Sequence, residues 1–179
     1  MTELKPLNWQ PKPGIGMNAV RRGDGGLTLT FTDLSDATLA DWYEQEWAPY
    51  YGGQGPGDAR ADLLSRCNRD RLPVGFVAID NDRVLGTAAI DRDVTTGLSP
   101  SVVGLLVATE YRRRGVASAL LEAAERLATD LRYDELFIST SVLGELLQRK
   151  GWLEKGDVEF LNDERGKVYV RNLTKNELS

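Results

Sequence analysis

Apolar and polar positions along this chain follow two different periods. Runs in which apolar residues are continuous or occupy every second position predict strands, and apolar residues spaced three and four apart predict helices. The pattern predicts strands over residues 27–31, 74–79, 84–90, 102–107, 135–140, 158–161 and 167–170. It predicts helices from an N-cap at Ser35 to about Pro49, over 58–69, from Val116 to about Leu131, and over 142–150.

The order of these elements, β-α-α-β-β-β-α-β-α-β-β, predicts an α+β domain in which helices pack on a sheet of mixed strand direction. Polar turns at 80–83 and 163–166 are each expected to join two strands into an antiparallel hairpin. Residues 1–26 are rich in proline and glycine and lack periodicity, which predicts an N-terminal extension that adds nothing to the core. The predicted domain covers residues 27–173, and residues 174–179 form a C-terminal tail.

The composition narrows the chemistry that the domain can perform. None of the 179 residues is histidine, which excludes Ser-His-Asp and Cys-His nucleophilic machinery and most catalytic zinc sites. A formal net charge of −5 argues against a nucleic-acid partner, and no apolar run approaches the length that spans a bilayer. Because Cys67 is the only cysteine and the N-terminal residues do not resemble a secretory signal, a cytoplasmic location is expected.

The most informative segment is 101–130, in which an apolar strand runs into a basic turn and then directly into a helix. The first N–H groups of a helix have no partner inside the helix, and the helix dipole adds partial positive charge there. Arg112, Arg113 and Arg114 add whole charges at the same place. Gly115 and the small Ala117 allow the backbone to approach an anion closely. The segment therefore predicts an anion site for a phosphorylated cofactor.

Two other phosphate-binding motifs are excluded, and one plain alternative stays open. The segment lacks the G-x-G-x-x-G of a dinucleotide-binding fold and the G-K-[ST] of a P-loop. The plain alternative is a solvated basic run followed by an ordinary helix. The apolar strand before the turn and the strongly amphipathic helix after it favour the anion site.

The residues Leu105–Glu125, LLVATEYRRRGVASALLEAAE, resemble the signature of the GNAT superfamily of N-acetyltransferases. Arg83–Ala88 is similar to the family's third strand, and Leu146–Trp152, LLQRKGW, is a weaker echo of its F-Y-E-K-L-G-F. The resemblance implies a GNAT-like, mostly antiparallel central sheet of about seven strands with helices on both faces. It also implies acetyl-CoA as the acyl donor.

In that family the strand before the turn separates from its neighbour and its backbone pairs with the pantetheine arm, while the turn holds the pyrophosphate. Carried onto this chain, the resemblance assigns the pantetheine and thioester contacts to the main chain of Leu105, Leu106 and Val107, with Thr140 as a further contact. It assigns the pyrophosphate to Arg112, Arg113, Arg114, Gly115, Val116, Ala117 and Ser118. An amide of Leu106 or Val107 is expected to stabilise the oxyanion.

The sequence departs from the family at catalytic positions. Leu147 stands where a tyrosine often protonates the leaving thiolate, so water or a hydroxyl near Thr140 must supply that proton, unless those hydroxyls only cap the strand end. The base that accepts the amine proton is expected to be Asp91 or Asp93 acting through water. The alternative for both carboxylates is an ordinary charge on a surface loop.

The acceptor pocket is expected to lie between the first two helices. Trp47, Tyr50 and Tyr51 are the candidate substrate contacts, and Glu44 and Glu46 are candidate attractors of a cation. Core packing is the alternative for Trp47 and Trp42, because both lie at helical spacing.

The function expected from the resemblance is direct transfer of an acetyl group from acetyl-CoA to a primary amine of a small molecule or peptide. The alternative is a non-catalytic acyl-CoA-binding regulatory protein of the same fold, which the missing tyrosine at Leu147 favours. A third class is an interaction module without a cofactor. No metal, nucleic acid or membrane is expected to take part, and the resemblance implies a homodimer as one oligomeric state.

Overall fold

The computed structural model describes residues 15–23, 26–34, 36–81 and 83–174. Predictions made for residues 1–14, for Ser35 as an N-cap and for residues 175–179 lie outside the described residues. The strands are β1 (Ile15–Gly23), β2 (Gly26–Leu34), β3 (Val74–Asp80), β4 (Arg83–Asp91), β5 (Ser101–Val107), β6 (Glu135–Thr140), β7 (Leu153–Glu159) and β8 (Arg165–Asn172). The helices are α1 (Asp36–Glu46), α2 (Ala48–Tyr51), α3 (Ala59–Ser65), α4 (Val116–Asp130) and α5 (Gly144–Arg149).

In the described part of the chain, all eight strands form one sheet in the order β2-β1-β3-β4-β5-β6-β8-β7. The pairs β1–β3 and β5–β6 are parallel, and the other neighbours are antiparallel. The predicted α+β class with a mixed, mostly antiparallel sheet is confirmed. Both predicted hairpins, β3–β4 and β7–β8, are present.

The eighth strand comes from a segment in which the sequence predicted none. β1 lies within residues 1–26, yet it pairs with β2 along its whole length and with β3 over Asn18–Val20. Its sequence, IGMNAVRRG, shows little alternation of apolar and polar residues. Main-chain hydrogen bonds hold such a strand in a sheet whatever its side chains, so a hydrophobic pattern does not reveal it.

Helices cover the sheet on both faces, and the buried strand β3 shows how the core is divided. Phe76 and Ala78 belong to a large apolar cluster with α4 and α5, whereas Val77 and Ile79 belong to a second cluster with α1 and α3. Because side chains of a strand alternate between faces, one continuous apolar run supplies both cores. We refer to the two sides of the sheet as the α4 face and the α1 face.

The long helix α4 follows from a strongly amphipathic sequence. Its buried positions recur at helical spacing and include Leu120, Leu121, Ala124 and Leu127, all of which lie against the sheet. At the next helix, Gly151 has a φ of 86° and follows the C-cap Lys150, as the predicted C′ position requires.

The last hairpin is longer than the sequence predicted. β7 begins at Leu153 rather than Val158, and almost all its side chains are exposed. An edge strand of this kind carries charged residues at positions where an inner strand carries apolar ones. The periodicity that predicts half-buried strands is therefore absent from it.

Replacing Leu120 with alanine is expected to lower the free energy of unfolding by about 2–5 kcal/mol, because this side chain is fully buried between α4 and the sheet. Urea denaturation followed by circular dichroism measures the change. Leu153, which is 65% exposed on β7, is the matched control, and its replacement with alanine is expected to change stability by less than about 0.5 kcal/mol. Equal losses in the two variants would contradict the described core.

Candidate functional site

The central feature of the sheet is a gap between two neighbouring strands. β5 pairs with β6 only where Ser101 and Val102 lie beside Phe137 and Ile138. Beyond these two positions the strands are not paired, although β5 stays paired with β4 as far as Val107. The C-terminal half of β5 therefore has a free main-chain edge in the middle of the sheet, which we call the opening.

A bulge in β5 decides which main-chain groups point into the opening. Val103 lies opposite Ala89 and Leu106 lies opposite Thr87, so two residues, Gly104 and Leu105, lie opposite one on β4. The residue just beyond β5, Ala108, donates its amide to Leu85, which fixes the alternation of hydrogen bonds at this end. By that alternation Leu106 directs its N–H and C=O towards β4, and Val107 directs its own towards the opening.

The turn after β5 brings free amides to the end of the opening. Gly115, the N-cap of α4, has a φ of 79°, and a Cβ built there would meet nothing within 4 Å. Among the described residues, the amides of residues 113–118 have no hydrogen-bond acceptor. A glycine with positive φ, followed by a first helical turn with unpaired N–H groups, is an arrangement that binds phosphate oxygens.

The three arginines of the turn have different surroundings. Arg112 donates from Nε to the carbonyl of Val107 at 3.0 Å and pairs with Glu46 of α1 at 3.5 Å. Arg113 is exposed with a φ of 63°, and the guanidinium carbon of Arg114 lies 6.0 Å from the ring centre of Tyr111. Glu46, a candidate attractor of a cationic substrate, thus contacts the basic turn.

Sequence reasoning missed a further cation beside the turn. Lys150, which follows α5, donates to the Ser118 hydroxyl at 3.0 Å and to Glu122 at 3.1 Å. Val116 is buried, whereas Ala117 and Ser118 are partly exposed. The turn therefore combines free amides with four basic side chains.

The predicted substrate residues come together at α2, whose N-cap is Trp47. The ring of Tyr51 lies 4.7 Å from that of Tyr50 and 6.4 Å from that of Trp47, measured between centroids. Tyr51 also donates to Asp62 of α3 at 2.7 Å. Trp47 and Tyr51 are only partly buried, so this aromatic group, Trp47–Tyr50–Tyr51, both packs on the α1-face core and reaches the surface.

Residues 39–145 match the sequence model of the acetyltransferase (GNAT) family. The chain belongs to the GNAT acetyltransferase family. The match covers more than half of the chain and includes β5, the basic turn and α4. The expected family and acetyltransferase class are confirmed, and with them the acyl donor of this family, acetyl-CoA.

The similarity to an individual relative covers a shorter part of the chain than the match to the family model does. Over 72 residues the chain is 33% identical to N-alpha-acetyltransferase 30 of Schizosaccharomyces pombe (strain 972 / ATCC 24843), which corresponds to 39% of this chain and 48% of that protein. The chain thus spans about half the length of the curated relative that it matches.

Solved structures resemble this GNAT chain at the level of the fold. An aminoglycoside 6'-N-acetyltransferase complexed with coenzyme A superposes with a TM-score of 0.61 at 12% identity, covering 77% of this chain and 90% of that one. The corresponding enzyme from Enterococcus faecium gives a TM-score of 0.60 at 14% identity, with the same coverage. A GNAT-family acetyltransferase from Streptococcus pneumoniae gives 0.57 at 15% identity, covering 76% and 92%.

The α1 face of the GNAT sheet carries a buried polar chain that the sequence did not reveal. Arg66, which follows α3 and is 6% exposed, donates from Nε to Asp91 and from Nη1 to the Tyr43 hydroxyl, both at 3.4 Å. Tyr43 is fully buried and donates to the carbonyl of Gly104, in the β5 bulge, at 3.5 Å. The one signal in the sequence is that Arg66 continues the apolar stripe of Ala59 and Leu63.

The two candidate bases are both hydrogen-bonded through both carboxylate oxygens, and they differ in exposure. Asp91 ends β4 with a side chain that is 28% exposed, and it accepts from Arg66 Nε at 3.4 Å on Oδ2 and from the Arg92 amide at 2.7 Å on Oδ1. Asp93 is 8% exposed, and both its carboxylate oxygens are occupied, one by the amide of Thr95 at 2.8 Å and the other by the Ser139 hydroxyl at 2.7 Å. Asp93 therefore ties the β4–β5 loop to β6, and Asp91 is the more exposed of the two carboxylates.

Neither α5 nor the end of β6 supplies the tyrosine that often protonates the leaving thiolate in this family. Leu147 is fully buried in the α4-face core, where a hydrocarbon side chain can donate no proton. The Thr140 hydroxyl accepts the amides of Val142 and Leu143 at 3.1 and 3.2 Å, which is the capping role considered for it. The hydroxyl proton of Ser139 is directed at Asp93.

The described residues contain neither a metal-binding cluster nor a membrane-spanning helix. No group of three or more histidine, cysteine, aspartate or glutamate side chains is arranged there to hold a metal ion. In the same residues, no helix combines the length and apolar character needed to cross a membrane.

Replacing Gly115 with glutamate is expected to weaken acetyl-CoA binding by on the order of 100-fold, because a carboxylate would stand where the free amides bind phosphate. Isothermal titration calorimetry measures the affinity. Gly97 is the matched control, since its φ of 73° and its empty surroundings reproduce those of Gly115. Gly97→Glu shares the backbone strain, of about 1–2 kcal/mol, but is expected to keep the affinity of the wild type. Unchanged binding in Gly115→Glu would contradict the pyrophosphate assignment.

Proposed function

We propose that this protein is a cytoplasmic N-acetyltransferase that moves the acetyl group of acetyl-CoA directly to a primary amine of a small molecule or peptide. The observation that carries the proposal is the opening between β5 and β6, which ends at a turn with free amides and basic side chains. A thioester donor supplies an activated acyl group and a good leaving group. The protein's part is to hold the donor, orient the amine and stabilise charge.

The residues around the opening fit the chemical parts of acetyl-CoA. Main-chain groups on the free edge of β5 suit the amides of a pantetheine arm, as an added strand would. The amides of residues 113–118, with Arg113, Arg114 and Lys150 nearby, suit the pyrophosphate. Arg112 holds the Val107 carbonyl, so it must release this group when the pantetheine arm pairs there.

Charge on the carbonyl oxygen of the reacting thioester is stabilised by a main-chain amide. Of the two candidates, Val107 is favoured because its N–H faces the opening, whereas that of Leu106 faces β4. A donor fixed in a strand is already oriented, so little reorganisation is needed as the charge develops.

Protons move through water in this proposal. Asp91 is the favoured base, since its side chain is 28% exposed to water whereas Asp93 is only 8% exposed. Asp91 lies opposite Ser101, six residues and roughly 20 Å along β5 from Val107, so the proton reaches it through a chain of several water molecules. Without a donor at Leu147, the leaving thiolate takes its proton from solvent.

The second candidate function is that of a non-catalytic acyl-CoA-binding regulatory protein. The fully buried Leu147 favours it, because this position then contributes to the core and not to turnover. Both functions require acetyl-CoA binding, and only the enzyme releases free thiol when an amine is supplied. A chain that acts as an interaction module would bind no acetyl-CoA at all.

Wild-type protein is expected to release CoA thiol from acetyl-CoA in an amine-dependent manner, measured with a thiol reagent across polyamines, aminoglycosides, amino acids and peptide N-termini. Acetyl-CoA binding without thiol release for any amine would support the regulatory alternative. Mass spectrometry of the acetylated amine identifies the acceptor class.

Asp91→Asn is expected to lower kcat/KM by on the order of 100-fold at neutral pH, because the protonated amine loses its proton acceptor. The loss should shrink as pH rises and the free amine becomes more abundant, so the pH–rate profile of the variant is displaced to higher pH. Asp80→Asn, which changes an exposed carboxylate at the end of β3, is the matched control. A profile for Asp91→Asn that overlays the wild type would remove Asp91 from the mechanism.

A further inference from the structure

The bulge in β5 controls the proposed reaction centre, because it sets the alternation of the strand beyond it. If β5 had no extra residue, Leu105 would lie opposite Thr87, and Val107 would direct its main chain at β4 instead of the opening. One inserted residue thus determines which amide is available to a thioester. A bulge is a local distortion of the ladder, so it needs contacts that hold it in place.

Those contacts come from the α1 face. Gly104 has a φ of 58°, and a Cβ built on it would lie 2.5 Å from the Tyr43 hydroxyl oxygen. The hydroxyl therefore contacts the bulge directly, in addition to its hydrogen bond with the Gly104 carbonyl at 3.5 Å. Burial raises the pKa of Tyr43, so this hydroxyl keeps the proton that it donates.

Tyr43 is itself held on two sides. Its ring contacts those of Trp47 and Tyr51, with centroids 5.1 and 5.5 Å away. Its hydroxyl oxygen accepts a hydrogen bond from the Arg66 guanidinium at 3.4 Å, and the same guanidinium donates to the Asp91 carboxylate at 3.4 Å. Donors and acceptors run in one direction, from Arg66 to Tyr43 and from Tyr43 to the bulge. A buried arginine is costly unless it is paired, and here its pairing orients the tyrosine.

We propose that Tyr43 and Arg66 are positioning residues that hold the β5 bulge and so direct the Val107 amide at the thioester carbonyl. This inference rests on the proposed acetyl transfer. Both residues contact the bulge or each other, and neither touches the reacting atoms. Their effect is therefore expected in the rate of the chemical step and not in cofactor affinity.

Tyr43→Phe removes the hydroxyl and keeps the ring contacts. It is expected to lower kcat by on the order of 10-fold or more, because small displacements of a catalytic donor are costly, while the KM for acetyl-CoA stays within about twofold. Tyr169→Phe is the matched control, since Tyr169 is also a buried tyrosine whose hydroxyl lies against a glycine, Gly144, but which forms no hydrogen bond with the described residues of β5. Wild-type kcat in Tyr43→Phe, or an equal rise in KM, overturns the proposal.

A double-mutant cycle tests whether Tyr43 acts through the bulge. Gly104→Ala displaces the same contact from the strand side, so its loss in kcat and that of Tyr43→Phe should not multiply in the double variant. Losses that multiply overturn the proposal. If Tyr43→Phe does not fold, Arg66→Lys serves instead, since lysine keeps a charge beside Asp91 but lacks the fork that also reaches Tyr43. It should show the same split between kcat and KM, and an unchanged kcat is again contrary to the proposal.

A separate measurement distinguishes failure of this inference from failure of the proposed function. A wild-type chain that binds acetyl-CoA but acetylates no amine contradicts the function alone. The effect of Tyr43 on the conformation of the bulge is then measured in the free protein by NMR, from the backbone amide resonances of residues 104–107. Tyr43→Phe should shift these resonances and Tyr169→Phe should not, and resonances that stay in place in Tyr43→Phe overturn the inference.

Discussion

The hydrogen-bond pairing of β5 is the constraint on which the rest of the structure depends. One edge of this strand is paired with β4 as far as Val107, and the other is paired with β6 at only two positions. Main-chain groups in the middle of a sheet are normally paired, so an unpaired edge there calls for water or a ligand. The bulge at Gly104 bends the strand and lets it follow β4 while it separates from β6. A binding site therefore arises where the sheet fails to close.

The two faces of the sheet differ in the side chains that they place around this opening. The α4 face carries the large apolar cluster, and α4 begins where β5 ends, so its free amides are directed at the donor side. The α1 face instead carries buried Arg66, the hydroxyls of Tyr43 and Tyr51, and two carboxylates that pair with them, and the Tyr43 hydroxyl reaches the bulge. Leu147 belongs to the apolar face, which explains why a residue aligned with a catalytic tyrosine has no polar partner there.

The parts of the fold that the sequence predicted are those in which local pattern and burial agree. Helix α4 and the hairpin β3–β4 have strong periodicity, and the basic turn has a motif whose spacing reflects a local geometry. β1 was not predicted, and β7 was predicted to begin too late. Strands near a sheet edge are held by main-chain pairing, which leaves little trace in the pattern of side chains. The hydrogen bonds that link Arg66 to Tyr43 and Tyr43 to Gly104 were also not predicted. These bonds join residues 23 and 61 positions apart, and no local rule relates positions so distant.

The absence of histidine bears on how such a site reaches a useful rate. The two candidate bases are Asp91, whose oxygens accept from Arg66 and the Arg92 amide, and Asp93, whose oxygens accept from the Thr95 amide and Ser139. Neither lies beside the free edge of β5, so proton transfer has to run through water and can contribute only part of the acceleration. The larger part then falls to orientation and to a fixed amide donor, whose effect depends on small displacements of the backbone. In a site built this way, residues that hold the strand in place matter as much to turnover as residues that move protons.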